Sequence, residues 1–156
     1  MAILSFKDVG IQGTQRIPEN TRFSPIPIGF KTPLELDILG DSIFKMHFEM
    51  VDQVDDNFRN LVLTNHGERL ALYDFGANLR PLLTEWSNKE DFDSEAMIRI
   101  NTAVNKYMPY VNLNGYESKP DYHDNVFTGR VRIYVHYSVP ALNINSRILE
   151  TELFII

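Results

Sequence analysis

The chain of 156 residues contains no cysteine. Disulfides, thiolate nucleophiles and zinc–thiolate sites are therefore excluded, and the composition fits a protein that folds in a reducing compartment. No apolar run approaches the roughly 18 residues of a membrane span. The opening MAILSFKDVG also lacks the charged start and long apolar stretch of a signal peptide. We therefore expect a soluble protein without a membrane partner.

An excess of basic residues is also missing. Lys and Arg number 15 against 21 Asp and Glu, and residues 41–95 alone hold twelve acidic and five basic residues. A nucleic-acid partner requires a basic face, so we expect none. We interpret the acidic middle of the chain as solvated helix surface.

Motifs for catalysis or cofactor binding are absent as well. The sequence has no phosphate-binding glycine loop, no G-x-S-x-G and no H-E-x-x-H. Two polar clusters, His66 with Glu68 and Asp121 with His123 and Asp124, lack metal-ligand spacing and are interpreted as solvated loops. No carboxylate pair stands out as glycoside hydrolysis would need. We predict a protein that is not an enzyme and binds no metal or cofactor.

Proline is concentrated near the N-terminus. Half of the eight prolines fall within the first 38 residues: Pro18, Pro25, Pro27 and Pro33. They favour extended backbone. The large apolar residues between them are more than a disordered tail would carry. We predict an extended arm over residues 1–38, packed on its own domain or on a neighbour, and a folded domain over residues 39–156.

A first helix is predicted over residues 41–63, with Asp41 as its N-cap. Its apolar stripe has steps of three and four and comprises Phe44, His47, Val51, Val54, Phe58 and Leu61. The acidic residues off the stripe, expected to face solvent, are Glu49, Asp52, Asp55 and Asp56. We interpret His47 as hydrogen-bonded or interfacial, because residues one and two positions away do not face it on a helix.

Two more helices follow in the sequence. A short one carries Leu79, Leu82, Leu83 and Trp86. A longer one is predicted to start at Asp93 or Ser94 and to end before Pro109. Proline lacks the backbone N–H that donates a helical hydrogen bond, and its ring clashes with the preceding turn. Its stripe is Met97, Ile100, Val104 and Tyr107.

The periodicity then changes to two. Alternation over residues 111–117, 130–139 and 149–155 predicts three half-buried antiparallel strands, with a link over residues 118–127. The fold class is therefore α+β, with N-terminal helices packed on a C-terminal three-stranded meander. The inward set of the last strand is predicted to be Leu149, Thr151, Leu153 and Ile155, with Glu150 and Glu152 on the opposite face.

The last predicted strand is a candidate binding edge. A terminal strand is often an edge strand, whose unpaired backbone groups can accept a strand from another chain. It could equally be covered by the arm or by a helix. The candidate residues for strand addition are Leu149, Glu150, Thr151, Glu152, Leu153 and Phe154.

Three segments, TNHGERL at 64–70, DFGANL at 74–79 and LLTEW at 82–86, together resemble a family of phage contractile-tail baseplate wedge subunits. This family is also called tail-lysozyme-like, and it is related to a baseplate subunit of the type VI secretion machine. The resemblance covers residues 39 to 156. It implies a structural protein of the virion's tail baseplate, assembled in the host cytoplasm. Its implied partners are the helical core bundle of the other wedge subunits and the tail sheath, whose polymerisation it would template by strand addition.

One departure from the family concerns the end of the third helix. The family commonly has Glu-Pro-Arg there, whereas this chain has Met108, Pro109 and Tyr110. We expect an apolar partner contact in place of charged ones. Glu68 and Arg69 are expected to order their loop or to bind a neighbouring subunit.

Two alternatives stay open at this point. The same fold resembles a bacterial anti-adaptor that shields a sigma factor from proteolysis, which would make the chain a small regulatory binding module. The tail-lysozyme name leaves a peptidoglycan-degrading enzyme as the least favoured alternative.

Overall fold

The computed structural model describes residues 26–38, 43–86, 88–124 and 126–155. Pro18, Pro25 and Asp41 lie outside these residues, and the arm boundary after residue 38 stays a prediction. Three helices precede a three-stranded sheet, which confirms the α+β class. The elements are β1 (Gly29–Phe30), β2 (Met46–His47), α1 (Met50–Leu63), α2 (Arg80–Thr84), α3 (Lys89–Tyr107), β3 (Asn112–His123), β4 (Val126–Val139), a 3₁₀ turn (Pro140–Leu142) and β5 (Ile144–Phe154).

Strand β4 is the centre of the sheet. The strand order is β3-β4-β5, and both pairings are antiparallel. From residue 131 onwards every second residue of β4 is buried, as the alternation predicts: Val131, Ile133, Val135, Tyr137 and Val139. Such alternation allows one face of the sheet to pack while the other contacts solvent.

The helices cover the buried face. Phe58 of α1 meets Tyr137 edge to face, with ring centroids 4.8 Å apart. The Tyr137 hydroxyl donates a hydrogen bond to Asp55, and Arg147 Nη2 of β5 lies 2.8 Å from Asp55 Oδ2. Burial, followed by this hydrogen bond, raises the pKa of Tyr137. The prediction that Asp55 faces solvent was wrong, because this carboxylate joins α1 to two strands.

The predicted start of the first helix was also wrong, because α1 begins at Met50. Residues 43–48 instead run antiparallel to residues 26–38. We call these two segments the ribbon. Gly29 pairs with His47, Phe30 pairs with Met46, and Ile28 N donates to His47 O at 2.8 Å. The residues at positions 44 and 47 fit a helical period by coincidence, while pairing with an earlier segment decides their conformation.

The third helix starts earlier than predicted. Its N-cap is Asn88, whose side chain accepts a hydrogen bond from Asp91 N at 2.8 Å, and not Asp93 or Ser94. Glu90 and Asp91 then occupy the positive end of the helix. The polar composition of this stretch had indicated a turn.

Strand β3 extends to His123, so most of the predicted link over residues 118–127 is strand. Pro120 is tolerated because β3 is an edge strand, where a missing N–H need not cost a ladder bond. The chain reverses at Asp124, which has a φ of 49°. An exposed edge strand has the polar composition of a loop, which explains the wrong prediction.

Candidate partner-binding surfaces

The last strand, β5, forms one edge of the sheet. It pairs with β4 from Phe154 opposite Arg130 to Ile144 opposite Val139. Among the described residues no strand pairs with its other side. A strand in this position presents main-chain donors and acceptors along its outer side. All six residues proposed for strand addition, 149–154, lie in β5.

The side chains of β5 alternate between the two faces of the sheet. Leu149, Thr151 and Leu153 are buried, as predicted. Ile155 was placed in the same set, but it follows the end of the strand and is 44% exposed. Its amide instead donates to Gly129 O at 3.0 Å. The residues on the opposite, solvent-facing side are Ile148, Glu150, Glu152 and Phe154.

Glu68 orders the loop that follows α1. Its carboxylate accepts hydrogen bonds from the backbone and side-chain nitrogens of Asn65, both at 2.8 Å. These bonds lower the pKa of Glu68, and Arg80, 3.7 Å away, adds to the effect. The carboxylate is thus largely engaged within its own loop.

Arg69 has a different environment. Its guanidinium carbon lies 4.2 Å from the centroid of the Phe75 ring, which is a cation–π contact. The next residue, Leu70, is 97% exposed. The loop therefore presents a cation beside an apolar side chain.

The glycines fix the shape of this loop. Gly67 has a φ of 85° and Gly76 a φ of 107°, both in the left-handed region that favours glycine. A Cβ on Gly76 would lie 2.1 Å from the carbonyl oxygen of Thr64. Gly76 therefore allows the chain to pass directly against the end of α1.

Packing brings the loop residues Glu68 and Arg69 close to the end of α3. Glu68 and Arg69 line a groove of about 550 Å³ together with Met108 and Tyr110. Met108 is buried in the core, Pro109 is exposed and Tyr110 is 44% exposed. The part of this corner available to a partner is thus mainly Tyr110 and Pro109. Partner binding by any of these five residues stays a prediction.

An ion pair holds the far side of the loop to α3. Asp74 accepts hydrogen bonds from the Lys106 ammonium group and from the Tyr107 hydroxyl, the latter at 2.7 Å. Lys106 and then Tyr107 lower the pKa of Asp74 to about 2. Sequence reasoning missed this pair because the three residues are joined only by the packing of the loop on α3.

A buried carboxylate attaches the ribbon to α1. Asp56 Oδ2 accepts the backbone N–H of Thr32 at 2.7 Å and lies 2.6 Å from His47 Nε2. Arg59 Nη1 is 3.4 Å from the other oxygen. Burial raises the pKa of Asp56, but the hydrogen bonds from His47 and Thr32 outweigh it, and the net pKa is lowered. His47 is hydrogen-bonded, as predicted, whereas Asp56 was wrongly expected to face solvent.

The outer face of the ribbon is apolar. The exposed large side chains of the ribbon are Ile26, Ile28, Phe30, Leu34, Leu36, Ile38, Ile43 and Phe48. Phe30 and Phe44 contact each other edge to face at 6.0 Å. The ribbon thus contacts its own domain through polar contacts of Thr32 and His47, and leaves these eight apolar side chains exposed. An apolar patch of this extent is typical of an interaction surface.

The described part of the chain contains neither a membrane-spanning helix nor a cluster of metal ligands. None of its helices has the length and apolarity needed to cross a bilayer. Across residues 26–38, 43–86, 88–124 and 126–155, no group of three His, Asp or Glu side chains could hold a metal ion. His123 and Asp124 lie 3.6 Å apart and are almost fully exposed.

Two solved structures are similar to this one. A chain of the anti-feeding prophage baseplate, seen by cryo-EM, aligns with a TM-score of 0.58 and 19% identity. The match covers 74% of this chain and 86% of that one. A protein from Geobacter sulfurreducens described as a tail lysozyme aligns with a TM-score of 0.54 and 17% identity, over 69% of this chain and 93% of its own.

No protein-family model matches the sequence, and no curated protein does. The resemblance to contractile-tail baseplate proteins predicted from the sequence is thus confirmed by structural neighbours, at the level of the fold.

Proposed function

We propose that this chain is a structural subunit of a contractile-tail baseplate, a wedge component on which sheath polymerisation begins. The fold that it shares with a baseplate chain supports the first part of the proposal. The unpaired outer side of β5 within the described residues supports the second. The protein would then reside in the tail baseplate of a virion or prophage particle.

The observation that carries the proposal is the edge position of β5. A strand of the sheath subunit lying beside residues 149–154 would form main-chain hydrogen bonds with it and extend the sheet to four strands. Main-chain bonds supply affinity, while the alternating side chains on both faces fix the register.

The other surfaces would contact neighbouring baseplate subunits. The groove that includes Arg69 and Tyr110 has both polar and apolar side chains in its lining. The exposed Leu70 follows Arg69 in the same loop. The apolar outer face of the ribbon would pack against a second neighbour. These contacts would join the subunit to the wedge and leave β5 accessible to the sheath.

Two separate single proline substitutions at neighbouring positions of β5 test the strand addition. Consecutive residues in an antiparallel strand direct their N–H groups to opposite sides. Of Glu150→Pro and Thr151→Pro, one therefore removes a hydrogen bond to β4 and the other removes a donor on the outer side. Melting temperatures identify the outer-side variant, because it should retain more of the native stability.

Electron microscopy of tail particles made with the outer-side variant then shows whether sheath assembly depends on strand addition to β5. We expect baseplates that carry little or no sheath. Normal numbers of full-length sheaths on particles that incorporate this variant would contradict templating by β5.

A tail enzyme is the second candidate, favoured by the description of the Geobacter sulfurreducens protein. A peptidoglycan zymogram of the purified chain tests it. Lysis that disappears on substitution of a single carboxylate would replace the structural proposal, whereas we expect no cleared zone.

A further inference from the structure

Four outward side chains in the C-terminal part of β5 follow a symmetric pattern. Ile148, Glu150, Glu152 and Phe154 read apolar, acidic, acidic, apolar in either chain direction. The two terminal members are 58% and 51% exposed, and both glutamates are exposed. A strand added parallel or antiparallel to β5 therefore meets the same order of side chains.

The two glutamates differ in their neighbours on β4. Glu152 lies opposite Arg132, whose Nε is 3.0 Å from its carboxylate. Glu150 lies opposite Tyr134 and accepts a hydrogen bond from its neutral hydroxyl group, at 3.3 Å. Among the described residues, no ion pair joins Glu150 to a cation. A cation arriving from the outer side could therefore form an ion pair with Glu150 without displacing a partner from the described residues.

The opposite face of β5 sets a second requirement. Leu149 and Leu153 are buried beneath the helices, with Thr151 between them. Residues of an added strand that lie beside these three would border the apolar core. Burying a charge there without a partner is costly, so those positions require apolar or small side chains.

We infer that β5 selects a partner strand whose outward residues read apolar, basic, basic, apolar and whose inward residues are apolar. This inference rests on the proposed strand addition and specifies the chemistry of the sheath segment. Opposite charges directly across a strand pair are stabilising, and like charges are destabilising. Lysine or arginine beside Glu150 and Glu152 meets both requirements.

The same pattern disfavours a second copy of this chain as the occupant. When the β5 strands of two copies align their patterns, glutamate meets glutamate whether they run parallel or antiparallel. Charged residues on edge strands are a common means of preventing edge-to-edge association. The outer side of β5 is therefore suited to a foreign basic strand and not to itself.

Two fluorescent peptides of roughly nine residues, the length of a long edge strand, test the inference. Both carry valine and threonine at inward positions and isoleucine at the outer ends of the outward set. The central outward pair is two lysines in one peptide and two glutamates in the other. Binding to the full chain is measured by fluorescence anisotropy at low ionic strength, where surface charges are least screened.

We expect the lysine peptide to bind at least about fivefold more tightly than the glutamate peptide, given two cross-strand pairs. The double substitution E150Q/E152Q should remove the preference for the lysine peptide. The single substitution E150K should weaken binding of the lysine peptide. The matched control is E117K, on the opposite edge strand β3, which should leave the preference unchanged.

The outcomes separate this inference from the proposed function. Equal binding of both peptides, lost in the outer-side proline variant, would overturn the charge pattern and leave strand addition standing. Failure of both peptides to bind would contradict strand addition itself, and with it this inference. A preference that survives E150Q/E152Q but is lost in E117K would overturn the assignment to β5.

Discussion

Substitution Asp56→Asn should release the ribbon from α1 without unfolding the domain. The Asp56 side chain is only 8% exposed, so its hydrogen bonds with Thr32 and His47 are little screened by water. A hydrogen bond to a charged group contributes about 1.5–3 kcal/mol. The amide of asparagine keeps one acceptor and loses the charge, so we expect a loss of about 2 kcal/mol.

The expected loss is local because the main contacts of the ribbon outside itself are with α1. At 1.36 kcal/mol for each factor of ten, a loss of 2 kcal/mol corresponds to about 30-fold more frequent opening. Native-state hydrogen exchange measures this at the amides of Ile28, Lys31 and Lys45, which bond within the ribbon. Amides of β4 should keep their protection.

The matched control is Asp52→Asn, an exposed acidic residue on the same helix. It should change ribbon protection by less than about 0.5 kcal/mol. If the ribbon amides of Asp56→Asn exchange as slowly as those of the unsubstituted chain, Asp56 does not hold the ribbon and the reasoning is refuted.

Three further predictions follow from the structure. Because the folded pKa of Asp56 is lowered from 3.8, its contribution is complete above about pH 3.8. That contribution is lost as the pH falls through the folded value, and hydrogen exchange against pH should detect this loss only where Asp56 is retained. Gly76→Ala should lower the free energy of unfolding by more than about 2 kcal/mol in denaturant titrations, since it combines positive φ with a backbone clash. The control Gly115→Ala, with ordinary contacts at 3.6 Å and beyond, should change it by less than about 1 kcal/mol. Leu70→Ser should weaken co-purification with other baseplate subunits at unchanged melting temperature, and the control Ile98→Ser, at an exposed position on α3, should not; equal losses would contradict a loop-specific contact.

The sequence was most informative where burial imposes a regular pattern. β4 has neighbours on both sides and one buried face, so its apolar residues alternate strictly and the strand could be predicted. The same argument identified Leu149, Thr151 and Leu153 as inward residues. It failed for Ile155, because the strand ends one residue earlier and the alternation no longer determines exposure.

Long-range pairing accounts for three of the errors. The ribbon forms because residues 43–48 pair with residues 26–38, and no local periodicity reports such a pairing. The role of Asp56 was missed for the same reason, since its partner Thr32 lies in the ribbon and not on α1. Asp55 likewise has partners on β4 and β5, far along the chain.

Part of the candidate site could be predicted and part could not. The edge position of β5 follows from its place as the last strand of an antiparallel meander. The groove that joins Arg69 to Tyr110 depends on how the end of α1 packs against the end of α3, which no sequence spacing encodes. Met108 was expected at a partner surface because its motif position suggested it, but the helix end directs it into the core.

The link from Asp55 to Tyr137 and Arg147 has a mechanical consequence for any strand added to β5. A force along the strand direction acts in shear on all the main-chain hydrogen bonds between β5 and β4 at once. It does not break them one after another. Arg147, near the start of β5, carries part of that load across to α1 through its ion pair with Asp55. Tension applied at the edge of the sheet would therefore be shared with the helical layer, so that the strand and the helix resist it as one body.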